Sequence, residues 1–235
     1  VESLIKNKNV FVEKPLCLNS FELDKIMNTY RDINISNKIK PLLMVGFNRR
    51  FSPYILKLKE VLLNLKGKKS FIYTINSGKL QNDHWLNNAN IGGGRLIGEA
   101  CHFVDLLLFL AESNISKLST NFMDGDHLND VFSINITFKD GSIGTVHYFS
   151  NGHKSFPKER LEIFCNEKIF QLDNFRKLKV WGMKLKNEPR TLGQDKGHKT
   201  CLKKFVKAVN NGESSPIPIQ DIFEVQQFLL NALNL

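Results

Sequence analysis

The first 47 residues contain two short apolar segments with an amphipathic segment between them, and this order constrains the fold more than any other feature. Asn9–Val12 is rich in β-branched and aromatic residues and predicts a buried strand. Asn19 and Glu22 have the spacing of a helix capping box, so a helix is expected next. Leu42–Phe47 predicts a second buried strand. Because strand–helix–strand units use a crossover connection, we expect the two strands to pair in parallel.

The hydrophobic repeat changes after a helix that Ser52 and Pro53 are expected to start. From Ser70 onward apolar residues alternate with polar ones, which predicts strands that together form an open antiparallel or mixed sheet with helices on one face. The uncovered face, including Phe71, Tyr73 or their neighbours, is expected to be partly apolar. The strands are predicted at Phe71–Ile75, Phe132–Phe138, Ile143–Phe149, Leu161–Phe164, Ile169–Leu172 and Leu178–Trp181.

Charged side chains follow both predicted parallel strands. Glu13 and Lys14 come after the first strand, and Pro15 should end its pairing because proline lacks an N–H group. Ligands bind at the carboxyl ends of such strands, so Lys14 can place its ammonium group in a cleft, or it can be a surface lysine. Arg49 and Arg50 follow the second strand. One of them is expected to bind substrate and the other to form a surface ion pair.

His102 lies in a predicted helix from about Ile97 to Ala111, on the side that carries Leu106 and Phe109. Histidine is the natural proton carrier near neutral pH. A histidine on an apolar helix face can equally be a core residue that only packs. The local pattern leaves both interpretations open.

Three motifs occur in a fixed order: Glu13-Lys14-Pro15, Gly46-Phe47-Asn48-Arg49-Arg50-Phe51-Ser52-Pro53, and a glycine run that leads from Gly92 to His102 and Asp105. The ordered set resembles the Gfo/Idh/MocA family of NAD(P)-dependent oxidoreductases, which includes glucose–fructose oxidoreductase and myo-inositol dehydrogenase. The resemblance covers nearly the whole chain. It implies hydride transfer between NAD or NADP and a secondary hydroxyl or carbonyl group of a sugar, sugar nucleotide or cyclitol.

The resemblance also assigns roles to residues. Lys14 matches the catalytic lysine that contacts the reacting oxygen, and His102 matches the catalytic, substrate-contacting histidine. Glu13, Lys14 and Pro15 are expected near the nicotinamide. Trp85 matches an aromatic residue that borders the nicotinamide or substrate, although core packing is an alternative.

The chain departs from the family pattern at Gly98, where an aspartate usually stands four residues before the histidine. Glu99 can replace that carboxylate as a catalytic partner, or it can be a helix N-terminal acid that interacts with the dipole. This version of the motif resembles the branch that carries a zinc-dehydrogenase-like domain ahead of the oxidoreductase.

The resemblance divides the chain into residues 1–50, a remnant of a Rossmann-type dinucleotide-binding domain, and residues 51–235, a substrate-binding and oligomerisation domain. The overall class is α/β plus α+β. No Gly-x-Gly-x-x-Gly motif is found near Val1, so most of the nucleotide-binding half is expected upstream. The residue that selects NAD or NADP would lie there too.

Two other functions remain open: a non-catalytic ligand-binding or assembly protein on the same fold, which the glycine at position 98 favours, and an NAD-dependent glycoside hydrolase. The net charge of +10 is spread along the chain without a nucleic-acid-binding motif. No apolar run is long enough to span a bilayer. The four scattered cysteines and six histidines, His127 among them, lack metal-ligand spacing. We expect a cytoplasmic homo-oligomer.

Overall fold

The computed structural model describes residues 1–36, 40–81, 84–85, 88–125, 129–189, 191 and 193–233. Its helices are α1 (Glu2–Ile5), α2 (Ser20–Ser36), α3 (Pro53–Leu65), α4 (Ala89–Gly92), α5 (Cys101–Ala111), α6 (His198–Asn211) and α7 (Ile219–Asn231). Its strands are β1 (Val10–Val12), β2 (Leu43–Val45), β3 (Ser70–Asn76), β4 (Ile115–Phe122), β5 (Phe132–Phe138), β6 (Ile143–Phe149), β7 (Glu159–Cys165), β8 (Lys168–Asp173) and β9 (Lys177–Trp181). A 3₁₀ turn occupies Asn48–Phe51, and a π-helical turn occupies Leu96–Ala100.

The N-terminal unit is the predicted parallel pair of strands with a helix between them. Val10 lies opposite Leu43 in a parallel register between β1 and β2. At the start of α2 the Asn19 side chain accepts a hydrogen bond of 2.9 Å from the Glu22 N–H group. The Glu22 carboxylate reaches back to the N–H group of Leu18 at 2.8 Å. The helix start is therefore confirmed, with the return bond made one residue before the predicted partner.

The large sheet has the strand order β4-β5-β6-β3-β7-β8-β9. All neighbours pair antiparallel except β3 and β6, which are parallel, so the sheet is mixed. The edge strand β4 was not predicted, because polar residues dominate it and most of its side chains are not buried. Sequence alternation thus found the other strands of this sheet but not their order.

Helix α5 covers the inner face of the sheet. The ring of Phe103 lies 5.2 Å from that of Tyr73 and 6.1 Å from that of Tyr148, measured between centroids. Gly144 allows this close packing, because a Cβ atom there would lie 3.0 Å from the Leu107 side chain. Of the residues expected on the outer face, which were Phe71, Tyr73 or their neighbours, the neighbour Ile72 is exposed and Phe71 and Tyr73 are not. Both are buried, because the strand alternation points them at the helices.

The outer face carries a row of apolar side chains in one line across five strands, interrupted by Ser70 on β3. In the sheet register Ser70 lies opposite both Ile143 and Phe164, Phe164 opposite Ile169, and Ile169 opposite Trp181. Ile143 is 55% exposed and Trp181 is 47% exposed. We call Ile143, Phe164, Ile169 and Trp181 the outer apolar row.

A loop from the C-terminal half packs on the 3₁₀ turn. Asn48 donates a hydrogen bond of 2.6 Å to the Lys196 carbonyl oxygen, and Ser52 donates one of 2.8 Å to that of Asp195. Helix α3 begins at Pro53 as predicted, but the Ser52 hydroxyl group holds this loop instead of capping the helix. Gly197 has a φ of 83°, and a Cβ atom there would lie 2.4 Å from the Asn48 carbonyl oxygen.

In the parts of the chain that the structure describes, no helix has the length and apolar character that crossing a membrane requires.

We expect Gly197→Ala to lower the free energy of unfolding by more than about 2 kcal/mol. A left-handed conformation costs a non-glycine residue about 1 kcal/mol, and the backbone clash adds to it. Gly212→Ala is the matched control, since Gly212 also has a positive φ of 64° but no atom within 4 Å of its Cβ position. Denaturant unfolding measures both variants, and equal losses would contradict the close packing of the loop.

Candidate functional site

Lys14 brings the end of the parallel sheet into contact with the helical segment that precedes α5. It is the second residue after β1, and its peptide bond to Pro15 is cis. Its ammonium group donates a hydrogen bond of 2.5 Å to the Gly98 carbonyl oxygen and lies 3.7 Å from a carboxylate oxygen of Glu99. The side chains of Lys14 and Glu99 are both about one-fifth exposed, at 21%. The lysine charge is therefore fixed at a site that a small molecule can reach.

Glu99 is held from three sides. Tyr148 donates a hydrogen bond of 2.6 Å to its carboxylate, and Arg95 lies 3.3 Å away. Burial alone would raise the pKa of Glu99, but the Tyr148 hydrogen bond and the charges of Lys14, Lys158 and Arg95 outweigh burial and lower it. Glu99 therefore stays ionised beside Lys14.

These contacts bear on the two roles considered for Glu99. Gly98 offers only its carbonyl oxygen to Lys14, and the adjacent Glu99 supplies the carboxylate. Both residues lie in the π-helical turn, a distortion that is frequent at functional sites. Glu99 thus lies beside Lys14, as a partner carboxylate would, and also in the turn that leads into α5, where an acid can interact with the helix dipole.

His102 lies in the first turn of α5, and the ring of Phe47 packs against it with centroids 6.1 Å apart. The residue is partly exposed, yet its Nδ1 atom is buried without a hydrogen-bond partner among the described residues. Burial and the positive charges of Arg49 and Lys14 lower the pKa of His102 well below its usual value. The imidazole is therefore neutral at pH 7.

Arg49 belongs to a buried charge cluster beside His102. Its guanidinium group donates two hydrogen bonds of 2.9 Å to the Glu159 carboxylate. Tyr73 and Lys196 donate to the same carboxylate at 2.5 and 2.6 Å. Burial would raise the pKa of Glu159, but Arg49 and Lys196 hold it well below its usual range. We call Arg49, Tyr73, Glu159 and Lys196 the Glu159 cluster.

Arg50 points to the helices on the other side. It binds both carboxylate oxygens of Asp105 at 2.7 to 3.0 Å and donates a bond of 2.7 Å to Asp221. The expected surface ion pair is wrong for both arginines, because their guanidinium groups are buried. Their predicted contact with substrate has no support in this arrangement, since carboxylates already occupy both groups.

The other predicted cofactor residues lie at the edge of the site. Glu13 is exposed, and one of its carboxylate oxygens lies 3.2 Å from where a Cβ atom on Gly46 would stand. Trp85 is 57% exposed and stacks on His84, which excludes the core-packing alternative. Among the described residues, Trp85 makes no hydrogen bond or ring contact with Lys14.

Sequence reasoning missed Arg95, Tyr148 and Glu159. Glu159 had a usable signal: it falls on the core-facing side of β7, in step with Leu161 and Ile163, and a charge at a core position requires a partner. Arg95 also had a usable signal, since it stands four residues before Glu99, the spacing of a helical ion pair. Tyr148 had none, because it is 49 residues from Glu99 along the sequence.

No group of three or more potential metal ligands is found within the described residues. His127 lies outside them.

We expect Glu159→Gln to lower the free energy of unfolding by about 3–5 kcal/mol at neutral pH, because it leaves Arg49 buried without its counter-charge. The pKa of Glu159 is lower in the folded state, so its contribution is present above the unfolded value of about 4.3 and is lost as the pH falls further. The difference between wild type and variant should therefore shrink below about pH 4.

Thermal or denaturant unfolding at several pH values measures this difference. Glu162→Gln is the matched control on the same strand, where the side chain is only partly buried and a loss within about 0.5 kcal/mol is expected. A pH-independent loss for Glu159→Gln would rule out the ionised cluster.

Residues 69–171 match the family model of the GFO/IDH/MocA C-terminal domain. Myo-inositol 2-dehydrogenase of Thermotoga maritima is 26% identical over 183 residues, which cover 74% of this chain and 52% of that protein. The chain thus spans about half the length of the curated relatives it matches. These matches support the family that the ordered motifs indicate, whose named members are dehydrogenases and oxidoreductases.

Two solved structures show the same fold. An oxidoreductase domain protein from Kribbella flavida has a TM-score of 0.80 at 18% identity, covering 99% of this chain and 72% of its own. GenD2 from gentamicin A biosynthesis, solved in complex with NAD, has a TM-score of 0.75 at 18% identity, covering 99% of this chain and 70% of its own. The expected combination of a small parallel sheet with a larger mixed sheet is confirmed.

Proposed function

We propose that this chain supplies the reacting groups of a Gfo/Idh/MocA oxidoreductase, which transfers a hydride between NAD or NADP and a secondary hydroxyl or carbonyl group of a sugar, sugar nucleotide or cyclitol. The observation that carries the proposal is the contact of Lys14 with Gly98 and Glu99, one helical turn before His102. Lys14 and His102 are 88 positions apart in the sequence. The contact of Lys14 with the turn before α5 supports a single site that contains both.

The proposal divides the chain at about residue 50. Residues 1–50 would belong to the dinucleotide-binding half, and residues 51–235 would form the substrate-binding half. The parallel pairing of β1 with β2 supports the first assignment, and the family match to residues 69–171 supports the second.

The residues present fit the nicotinamide end of the cofactor. Glu13, Lys14 and Pro15 leave the carboxyl end of β1, where nucleotides bind in open parallel sheets. Gly46 follows β2 and keeps that edge clear of a side chain. NAD(P), when bound, would accept or supply the hydride.

Lys14 and His102 would flank the reacting oxygen of the substrate. Lys14 brings a positive charge whose position is fixed by the Gly98 carbonyl group and by Glu99. Such a charge stabilises an oxygen that gains negative charge as the hydride arrives. Glu99 would hold the ammonium group in place, and Tyr148 and Arg95 would in turn hold Glu99.

A non-catalytic ligand-binding protein is the second candidate, and Gly98 favours it because the usual carboxylate is absent there. The two candidates differ in one observable: only the oxidoreductase produces NADH or NADPH in proportion to a sugar or cyclitol substrate. Incubation of the intact protein with each cofactor and a panel of polyols, followed at the absorbance of the reduced nicotinamide, tests them.

We expect Lys14→Ala to lower kcat by about two to four orders of magnitude, the usual contribution of an acid–base group. Glu99→Gln should lower kcat less and alter the pH profile, because it removes the negative charge beside Lys14. Lys25→Ala, an exposed lysine on α2, is the control and should leave kcat unchanged. Steady-state kinetics on the same substrate give all three values, and a fully active Lys14→Ala enzyme would remove Lys14 from the reaction.

We also propose that the outer apolar row is covered by a second copy of the chain. Phe164, Ile169 and Trp181 are adjacent in register on an uncovered sheet face, and Ile143 follows beyond Ser70 in the same row. Such exposed apolar side chains form a patch of the kind found at protein interfaces. The closed inner face leaves this surface as the one available for sheet-to-sheet contact.

We expect Ile169→Glu combined with Trp181→Glu to convert an oligomer into a monomer, because the row would then carry charges that cannot be buried unpaired. Leu63→Glu is the control, since Leu63 is 53% exposed on α3 away from the sheet. Light scattering measures the mass of each variant. A monomeric wild-type protein at high concentration would overturn the proposal.

A further inference from the structure

The site holds one anomaly that the proposed function does not explain. Nδ1 of His102 is buried and lacks a hydrogen-bond partner within the described residues. Nε2 of the same ring makes no hydrogen bond there either, yet it is not among the buried unpaired atoms. Nε2 is therefore the nitrogen that a substrate in the site can reach.

The burial of Nδ1 selects a tautomer. A neutral imidazole carries its proton on one nitrogen and a lone pair on the other, and the surroundings decide which. Buried N–H groups without an acceptor are rare in proteins, whereas unpaired acceptors are tolerated more often. Nδ1 therefore carries the lone pair, and Nε2 carries the proton.

A histidine that takes up a proton in catalysis usually has a carboxylate on its second nitrogen, which stabilises the imidazolium ion. Three carboxylates lie near His102, and each is bound to other groups. Glu99 is bound by Tyr148 and Arg95, Glu159 by the other members of its cluster, and Asp105 by Arg50. Gly98 offers none. The ring is left without the group that would stabilise its charged form.

The electrostatic surroundings act in the same direction. Arg49 from the 3₁₀ turn, Lys14 from the end of β1 and His198 from the start of α6 all disfavour a positive charge on the ring. Glu159 from β7 favours one, but its own charge is already shared with Arg49 and Lys196. Burial disfavours the imidazolium further and is the largest cause of the lowered pKa.

We infer that His102 is a fixed hydrogen-bond donor to the reacting oxygen, through Nε2–H, and that Lys14 is the group that exchanges the proton. The inference rests on the proposed function. In the reducing direction, bound NAD(P)H would supply the hydride to the carbonyl carbon and become NAD(P)⁺. The carbonyl oxygen takes a proton from the Lys14 ammonium group. His102 keeps its proton throughout, and solvent reprotonates the Lys14 amine.

The tautomer can be measured without turnover. Long-range ¹H–¹⁵N correlation spectra of the ¹⁵N-labelled intact protein distinguish a protonated from an unprotonated ring nitrogen. His102→Gln assigns the His102 signals, and His153→Gln, an exposed residue in the loop after β6, is the assignment control. We expect protonated Nε2 and bare Nδ1, unchanged between about pH 8 and 5.5, a range that spans the ordinary histidine pKa. A proton on Nδ1, or titration near pH 6.5, would overturn the inference.

Kinetics separate a donor from a base. Glutamine carries an N–H donor but cannot take up a proton near neutral pH, whereas alanine has neither property. We expect His102→Gln to retain kcat within about tenfold of wild type, while His102→Ala loses about 10²–10³-fold, as when a fixed donor to a developing oxyanion is removed. Equal losses in both variants, with unchanged thermal melts, would assign His102 as the base and overturn the inference.

The two proposals fail in distinguishable ways. A protein without NAD(P)-linked activity on any polyol would overturn the proposed oxidoreductase and, with it, the catalytic role of His102. An active enzyme whose His102 titrates near neutral pH would leave the oxidoreductase standing and overturn only the donor assignment.

Discussion

Two consecutive arginines connect the parts of this structure. Arg49 binds the carboxylate of Glu159 on the large sheet, and Arg50 binds Asp105 on α5 and Asp221 on α7. Both follow β2, so the short parallel sheet is joined to the large sheet and to the helices through adjacent residues. Because buried charges are costly without their partners, each of these pairs fixes its two elements in one relative position. The location of Lys14 against the helix start depends on that positioning.

The same arginines hold the structure together, whereas the sequence suggested that one of them binds substrate. Sequence reasoning placed them in the cleft because residues after parallel strands often bind ligands. In the folded chain they are occupied by carboxylates 55 to 171 residues away along the sequence. What remains accessible is the lysine of the first strand and the histidine of α5. Both arginines support the site by fixing the elements around it, and the charge of Arg49 also disfavours the positively charged form of His102.

Much of the fold followed from local patterns, and the exceptions have physical reasons. Alternation of apolar residues marked β5 and β6 almost to the residue, because one face of each strand is buried. β4 was not predicted, because an edge strand rich in polar residues lacks this alternation. The parallel pairing of β3 with β6 depends on which segments meet in space, and no short window contains that information.

The candidate site divides in the same way. Lys14, Glu99 and His102 came from motif order, and their proximity in the structure agrees with that expectation without testing their roles. Of the residues that hold Glu99, Arg95 has the i,i+4 spacing of a helical ion pair and could have been found from the sequence. Tyr148 is 49 residues from Glu99, and only the packing of the sheet against the helical segment brings the two together.

Strand β3 is complete at residue 76, but both of its neighbours come much later in the chain, at residues 143–149 and 159–165. The centre of the sheet therefore closes only after more than 80 further residues have been synthesised, whereas β5 with β6 and β7 with β8 can pair as local hairpins at once. Long-range pairing of this kind slows folding, because loop-closure entropy is lost before the contacts form. β3 has two unpaired edges until β6 is made and one until β7 is made. We therefore expect this strand to be the segment of the nascent chain most in need of protection from aggregation.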